Sequence, residues 1–152
     1  MQKKIRRFTT VAAATLLAGS AVIGFSGVAN AAIVSSCSQG VCQVYEDMGS
    51  GYCDALIDQT DANENYSLYG NFAGGFYENQ NAGYTCNFWM ERNVNSTGWY
   101  QVGSTTAIAP SGVVQTPNIW NGSGYQARIC FRFNWGSSLG AAHCSPPVSI
   151  GV

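Results

Sequence analysis

Few residues of this 152-residue chain are of types that could form a reactive centre. The single histidine, His143, directly precedes Cys144. Nucleophilic catalysis of the Ser-His-Asp type needs a histidine that a carboxylate orients, whereas a histidine beside a disulfide-bonded cysteine is more often structural. No G-x-S-x-G elbow, phosphate-binding glycine loop or cofactor motif occurs. We therefore predict no catalytic residue and no cofactor, and expect a protein that is not an enzyme.

Carboxylates are the other groups that could support catalysis or bind a metal, and seven of the eight lie between Glu46 and Glu78. A glycosidase requires two carboxylates across a cleft, but the spacing favours no particular pair. The carboxylates between residues 54 and 64 suggest calcium. An EF-hand loop places its ligands at alternate positions around a central glycine, and this stretch lacks that spacing. We interpret it as a solvated loop and predict no metal site.

Cysteines supply the remaining chemistry: Cys37, Cys42, Cys53, Cys86, Cys130 and Cys144. An even number in a short exported chain indicates a disulfide framework. Zinc is the alternative, but the chain has no C-x-x-C pair and one histidine. We expect neighbours to pair in order, as Cys37–Cys42, Cys53–Cys86 and Cys130–Cys144. Only the last pair has a further argument, given below, and the connectivity of the first four cysteines stays open.

The first 31 residues have the pattern of a secretory signal peptide. Four positive charges precede an apolar run over residues 11–25, and Ala29-Asn30-Ala31 matches the A-x-A cleavage site. A transmembrane anchor is the alternative, but the run is short and interrupted by Gly and Ser. We therefore predict a signal peptide at residues 1–31, a single secreted domain at residues 32–152, and an extracellular location.

Removal of this segment would change the charge of the protein. Residues 32–152 contain no lysine and three arginines against eight carboxylates, a net charge of −5. A nucleic-acid partner needs a basic surface, and an anionic membrane would be repelled for the same reason. We therefore predict neither partner. The acidic segment would attract a basic protein, although ordinary solvation also accounts for it.

The clearest structural signal is the stretch of residues 125–144. Alternate residues from Tyr125 to Phe133 are apolar or aromatic, which is typical of a strand with one buried face. A turn rich in Gly and Ser follows at residues 134–140. If the turn centres on Ser137, Cys130 and Cys144 lie opposite one another. We therefore predict a β-hairpin closed by a cross-strand disulfide.

Other short strands are indicated by alternation between turn signals. We expect strands at residues 41–45, 66–72, 76–77, 84–92, 98–103, 105–109 and 113–116. Gly74-Gly75 should break the chain, residues 98–109 form two short strands or one bent strand, and residues 54–64 begin as a helical turn or a short strand. Ala32–Ser38 is expected to be a loose arm tethered at Cys37. The pattern predicts an all-β fold, a small disulfide-bonded antiparallel β-sandwich, with a small barrel as the alternative.

Aromatic residues suggest a binding surface, because so small a sandwich cannot bury four Trp and eight Tyr on one inner face. Trp and Tyr beside Arg are typical of interface hot spots. The same rings could instead stack on sugars or form a second small core. An N-terminal arm could also add a strand to a partner. The candidate partner-binding residues are Ala32, Ile33, Val34, Trp89, Trp120, Trp135, Arg128 and Arg132.

The segment AIAPSGVVQTPNIWNGSGYQARICFRF, residues 107–133, resembles the tendamistat-type α-amylase inhibitors. The similarity comprises an A-[IV]-A-P turn, a short Val strand, a Gly-rich turn and an aromatic A-R strand that ends at a cysteine. It implies a small exported bacterial β-sandwich. Those inhibitors present a Trp-Arg-Tyr triplet to the amylase, and this chain has none. The resemblance therefore implies the fold more than amylase inhibition.

The predicted product is a small exported, disulfide-bonded β-protein with a free apolar N-terminal arm at residues 32–36. In this overall plan the chain is similar to the adaptor subunit of bacterial umbrella toxin particles, which connects a large stalked toxin chain to a lectin-like subunit. That resemblance implies a secreted, non-enzymatic protein-binding module. Its partners would be other secreted proteins, namely toxin-particle subunits. Two alternatives remain: an inhibitor of an extracellular hydrolase, and a small carbohydrate-binding protein.

Overall fold

The computed structural model describes residues 32–47, 51–80, 83–135 and 138–151. The predicted signal peptide lies outside these residues. Within them the chain forms β-strands and no helix that is long and apolar enough to cross a membrane. The strands are β1 (Ala32–Ser38), β2 (Val41–Asp47), β3 (Tyr52–Thr60), β4 (Phe72–Asn79), β5 (Thr85–Val94), β6 (Trp99–Ile108), β7 (Gly112–Gln115), β8 (Ile119–Trp120), β9 (Tyr125–Trp135), β10 (Ser138–Leu139) and β11 (His143–Cys144).

Two antiparallel sheets form a sandwich, which confirms the predicted fold class. Sheet A has the order β1-β2-β3-β4-β7, with β8 also paired to β4. Sheet B has the order β10-β9-β5-β6, with β11 also paired to β9. Because side chains of a strand alternate between faces, one face of each sheet supplies the core. Val44 and Ile57 of sheet A and Phe88, Ile129 and Phe131 of sheet B are fully buried there.

All three disulfides join the cysteines that were expected to pair. Cys37–Cys42 closes the β1–β2 hairpin, Cys53–Cys86 joins sheet A to sheet B, and Cys130–Cys144 ties β11 to β9. Cys144 lies directly opposite Cys130, as the hairpin argument predicted. Three disulfides are typical of proteins from oxidising compartments such as the cell exterior.

The N-terminal segment is not the loose arm that we expected. Residues Ala32 to Ser38 pair along their whole length with β2, from Ala32 opposite Asp47 to Ser38 opposite Val41. Gln39 and Gly40 form the connecting turn with φ angles of 51° and 76°, as a two-residue type I′ hairpin requires. The local turn and the Cys37–Cys42 bridge thus order this segment as the edge strand of sheet A.

Two further expectations near the middle of the chain are wrong. Gly74-Gly75 does not break β4, because Gly75 lets β4 approach β3 so closely that a Cβ there would lie 1.8 Å from the Leu56 carbonyl oxygen. Residues 66–71 do not form a strand, and residues 61–71 (the 61–71 loop) fold back on the end of β3, where the Ser67 amide donates to the Gln59 carbonyl at 2.9 Å. The ambiguous stretch from Asp54 is part of strand β3.

The alternative left open for residues 98–109 is resolved as one bent strand, β6. Its register against β5 shifts between Phe88 and Met90. Gly103 lies at the bend with a φ of 75°, a backbone conformation that glycine adopts without strain.

The disulfide that joins the two sheets should contribute most to stability. Cys53 and Cys86 are 33 residues apart in the sequence, whereas Cys37 and Cys42 are 5 residues apart. Because a longer closed loop restricts the unfolded chain more, the C53A/C86A variant should lose about 4 kcal/mol of unfolding free energy and C37A/C42A about 2 kcal/mol. Urea unfolding followed by tryptophan fluorescence would measure both. Equal losses would contradict this ranking.

Candidate functional site

A row of paired aromatic and charged side chains crosses the outer face of sheet B. We call it the arginine–tryptophan stripe, and it comprises Trp89, Glu91, Trp99, Arg128 and Arg132. Strand alternation places it there, because Phe88 and Met90 point into the core and their neighbours point outward. The register then sets Glu91 of β5 opposite Arg128 of β9.

Glu91 is the centre of the stripe and uses both carboxylate oxygens. Arg128 donates from Nε at 2.8 Å and from Nη2 at 2.6 Å to Oε2, and Trp89 Nε1 donates to Oε1 at 2.9 Å. The Arg128 guanidinium also lies over the Trp99 ring, with Cζ 4.2 Å from the ring centroid. Charge-assisted hydrogen bonds and cation–π contacts therefore hold the side chains in one arrangement.

The two arginines of the stripe differ in whether a carboxylate of this chain pairs with them. Arg128 is paired with Glu91, and their side chains are 27% and 17% exposed. Arg132 lies over the Trp89 ring at 5.6 Å, and among the described residues it has no carboxylate partner. Its guanidinium is therefore the cation of the stripe that can still bind an acidic group.

The Cys130–Cys144 bridge lies beneath the stripe. One Glu91 carboxylate oxygen and the two sulfur atoms lie within 4.8 Å of one another. Such a group resembles a metal site, but sulfur atoms joined in a disulfide are not thiolates and do not act as the ligands of structural zinc. The bridge instead fixes the strand from which Arg128 and Arg132 project.

The structure brings together only some of the predicted partner-binding residues. Trp89, Arg128 and Arg132 meet in the stripe, although Trp89 is only 8% exposed, with the Arg132 guanidinium over its ring. Trp120 lies away from them on β8, 47% exposed and edge-on to Phe72. The side chains of Trp135 and Ala32 lie outside the described residues, while Ile33 and Val34 are exposed on edge strand β1.

Sequence reasoning did not select two residues of the stripe, Glu91 and Trp99. Trp99 lies at the start of β6, opposite Asn93 of β5. The sequence signal for Trp99 was its position within the strand expected at residues 98–103. Whether its ring faced Arg128 depended on the pairing of β5 with both β6 and β9, which short-range patterns do not specify.

His143 occupies a structural position in sheet B opposite Phe131. Its Nε2 lies 3.6 Å from Oε2 of Glu46, a buried carboxylate of β2. Burial raises the pKa of Glu46, and the nearby imidazole acts in the opposite direction. The other described contact of the imidazole is with the Phe131 ring. That His143 is not catalytic stays a prediction.

Two carboxylates on β3 have strongly shifted proton affinities. The pKa of Asp54 is raised to about 6, mainly by burial and in smaller part by the charge of Glu78, while the hydrogen bond that Gln43 donates to Asp54 Oδ2 at 2.7 Å acts in the opposite direction. Burial also raises the pKa of Asp58 to about 6. Asp61 behaves oppositely, because the backbone amides of the 61–71 loop donate to it and lower its pKa.

The chain matches no known protein family, no curated protein and no solved structure. Its candidate surfaces are therefore defined by the contacts and charges described above.

The Glu91–Arg128 contact should be measurable as a pairwise coupling. A double-mutant cycle with E91A and R128A should give a coupling of about 1 kcal/mol, because Arg128 donates twice to one Glu91 oxygen and both side chains are mostly shielded from solvent. The exposed hydrogen bond from Gln115 Nε2 to Glu64 Oε2 is a suitable control, and its cycle should give less than about 0.5 kcal/mol. Equal couplings by urea unfolding would contradict the role assigned to Glu91.

Stability should fall as the pH rises through the range in which Asp54 and Asp58 ionise. Because their pKa values are raised to about 6, the folded chain binds protons more tightly than the unfolded chain between about pH 4 and pH 6. The stabilising contribution is complete below that range and is lost above it. After allowance for solvent screening we expect a total on the order of 2 kcal/mol.

The D54N variant tests this expectation. It should be more stable than the wild type at neutral pH, and its unfolding free energy should change less between pH 4 and pH 6. The matched control is D61N. Asp61 has a lowered pKa, so its contribution is present at neutral pH and is lost only at more acidic pH. Identical pH profiles of urea unfolding for D54N and the wild type would show that burial of Asp54 has no energetic effect.

Proposed function

We propose that this protein is a secreted, non-enzymatic module that binds other exported proteins through the arginine–tryptophan stripe. The observation that carries the proposal is the ordered packing of two arginines on two tryptophans across an outer sheet face. Trp and Arg are the residue types most enriched among interface hot spots. The signal-peptide pattern and the three disulfides support an extracellular location.

Rigidity makes the stripe suitable for binding. Arg128 is held by Glu91 and the Trp99 ring, so little side-chain freedom remains to be lost when a partner docks. Arg132 has no carboxylate partner among the described residues, so a partner Asp or Glu can pair with it in a bidentate manner. The matching surface on the partner would therefore carry a carboxylate and apolar groups.

The shape of the stripe supports an adaptor more than an inhibitor. We propose, as the finer assignment, an adaptor subunit of an extracellular antibacterial toxin complex. An inhibitor of a hydrolase would insert a protruding loop into an active site, whereas Trp89, Arg128 and Arg132 lie on the middle of two paired strands. Edge strand β1 offers the adaptor a second contact, because its outer edge can accept a strand of a partner.

The proposal is tested on the native secreted protein. We expect stoichiometric co-purification of other exported chains from culture supernatant, identified by mass spectrometry. With a purified partner, W99A and R132A should each weaken binding about tenfold or more, since hot-spot truncations cost more than 1 kcal/mol. The matched control is W120A, which removes an exposed tryptophan outside the stripe and should leave this affinity within about twofold.

Other outcomes of the same experiment would contradict the proposal. Equal effects of W99A and W120A would place the binding surface elsewhere. Inhibition of one hydrolase in a stoichiometric complex would favour the inhibitor alternative. Binding of glycans that is lost in W120A would favour a carbohydrate-binding protein. Turnover of a substrate that H143A abolishes would show that the protein is an enzyme.

A further inference from the structure

Charge is divided between the two sheets of the sandwich. The three arginines of the described chain lie on β5 and β9 of sheet B. Seven of the eight carboxylates lie on β2, β3 and β4 of sheet A or in the 61–71 loop. Sheet A therefore carries negative charge without any Lys or Arg of its own.

The outer face of sheet A concentrates this charge on neighbouring strands. The register sets Asp54 between Tyr45 of β2 and Glu78 of β4 on that face. The rings of Tyr45 and Tyr52 lie 5.2 Å apart beside these carboxylates. Burial, followed by the nearby carboxylates, raises the pKa of both tyrosines. Like charges on adjacent strands oppose one another, and a cation bound between them would relieve that repulsion.

A cavity of about 570 Å³ lies on the same face, at the other end of β3. The β1–β2 turn, β2, β3 and the 61–71 loop enclose it, and the Tyr66 hydroxyl donates to the Gln39 carbonyl across it. Its walls are largely apolar, with one carboxylate and no cationic residue among the residues that line it. The lining residues are Ser38, Gln39, Val41, Leu56, Asp58 and Tyr66.

Asp58 is the carboxylate that lines the cavity. It lies opposite Val41 and points away from the core, because Ile57 and Gln59 on either side are fully buried. Its described side-chain hydrogen bond comes from its own backbone amide. A half-buried carboxylate with apolar walls is complementary to a cation on an aliphatic stem, which is the shape of a lysine or arginine side chain.

We propose that this face of sheet A binds an extended basic segment of a protein partner, with one Lys or Arg side chain inserted beside Asp58. Asp58 is the counter-ion of that side chain, Leu56 and Val41 contact its stem, and the Tyr66 ring forms one wall. Asp54 lies four residues away on the same face of β3. A strand advances about 3.3 Å per residue, so the two carboxylates are roughly 13 Å apart.

An extended partner aligned with β3 therefore presents basic residues at positions i and i+4. The first enters the cavity beside Asp58, and the second reaches Asp54 and Glu78 beside the two tyrosine rings. This site is on the face opposite to the arginine–tryptophan stripe. It does not depend on the function proposed for that stripe, and occupation of one face leaves the other free.

The test uses a synthetic capped peptide in which two arginines, four residues apart, are separated by Ser and Thr. Isothermal titration with the mature protein at physiological salt should detect binding to the wild type. D58N should weaken it about fivefold or more, whereas D61N, which removes the same charge from the exposed loop, should weaken it less than about twofold. A peptide with the two arginines adjacent should bind the wild type about threefold or more weakly.

Folding of the variant is checked separately. D58N removes a half-buried charge and should unfold at the same or a higher urea concentration than the wild type, so loss of binding cannot be attributed to unfolding. In the wild type, the peptide should shift the methyl resonances of Val41 and Leu56. Equal losses for D58N and D61N, equal affinities for the two peptides, or absence of binding would each overturn the proposal.

The other possible occupant is the stripe of a second copy of this chain. Concentration-dependent association in sedimentation experiments, abolished by both D58N and R132A, would identify that occupant and overturn the assignment to a separate basic partner. A protein that stays monomeric at the concentrations used for titration supports the assignment.

Discussion

The structure depends on the burial of one face of each sheet against the other, with Cys53–Cys86 joining the two across the core. A chain of this size buries only a modest apolar area. The inward-facing positions of β2, β3, β5 and β9 are therefore mostly occupied by buried apolar side chains. Strand alternation then forces the remaining side chains of the same strands onto the two outer faces. What each outer face carries is therefore free to serve binding.

The two outer faces have opposite chemical character. On sheet B, Glu91 organises Arg128 and Trp89 through hydrogen bonds, and the positive charge of Arg132 has no carboxylate partner among the described residues. On sheet A, Asp54 and Asp58 have pKa values raised to about 6, so their ionised forms reduce stability at neutral pH. Carboxylates kept at such a cost are characteristic of functional sites, although structural networks also produce them. This contrast suits a protein that contacts two different partners, one on each side.

The edge of sheet A links these surfaces to the N-terminal segment. Strand β1 is paired on one side with β2 and bridged to it by Cys37–Cys42, and Ser35 Oγ donates to the Cys144 carbonyl of sheet B at 3.1 Å. The β1–β2 turn also supplies part of the wall of the Asp58 cavity. A partner that added a strand to β1 would therefore lie beside the residues that enclose this cavity.

The sequence by itself determined the all-β fold, the Cys130–Cys144 hairpin and the opposite orientation of Trp89 and Phe88, because period-two alternation and turn composition act over a few neighbouring residues. Long-range contacts decided the rest. Residues of β1 form a strand because they pair with β2. Strand β4 continues through Gly75 because that residue approaches Leu56 closely. Trp99 reaches Arg128 because β5 pairs with both β6 and β9. The separation of acidic and basic residues onto opposite sheets could not be read from the chain. Which strands share a sheet is set by packing between residues far apart in sequence, and the sequence pattern reports only which residues share a strand face.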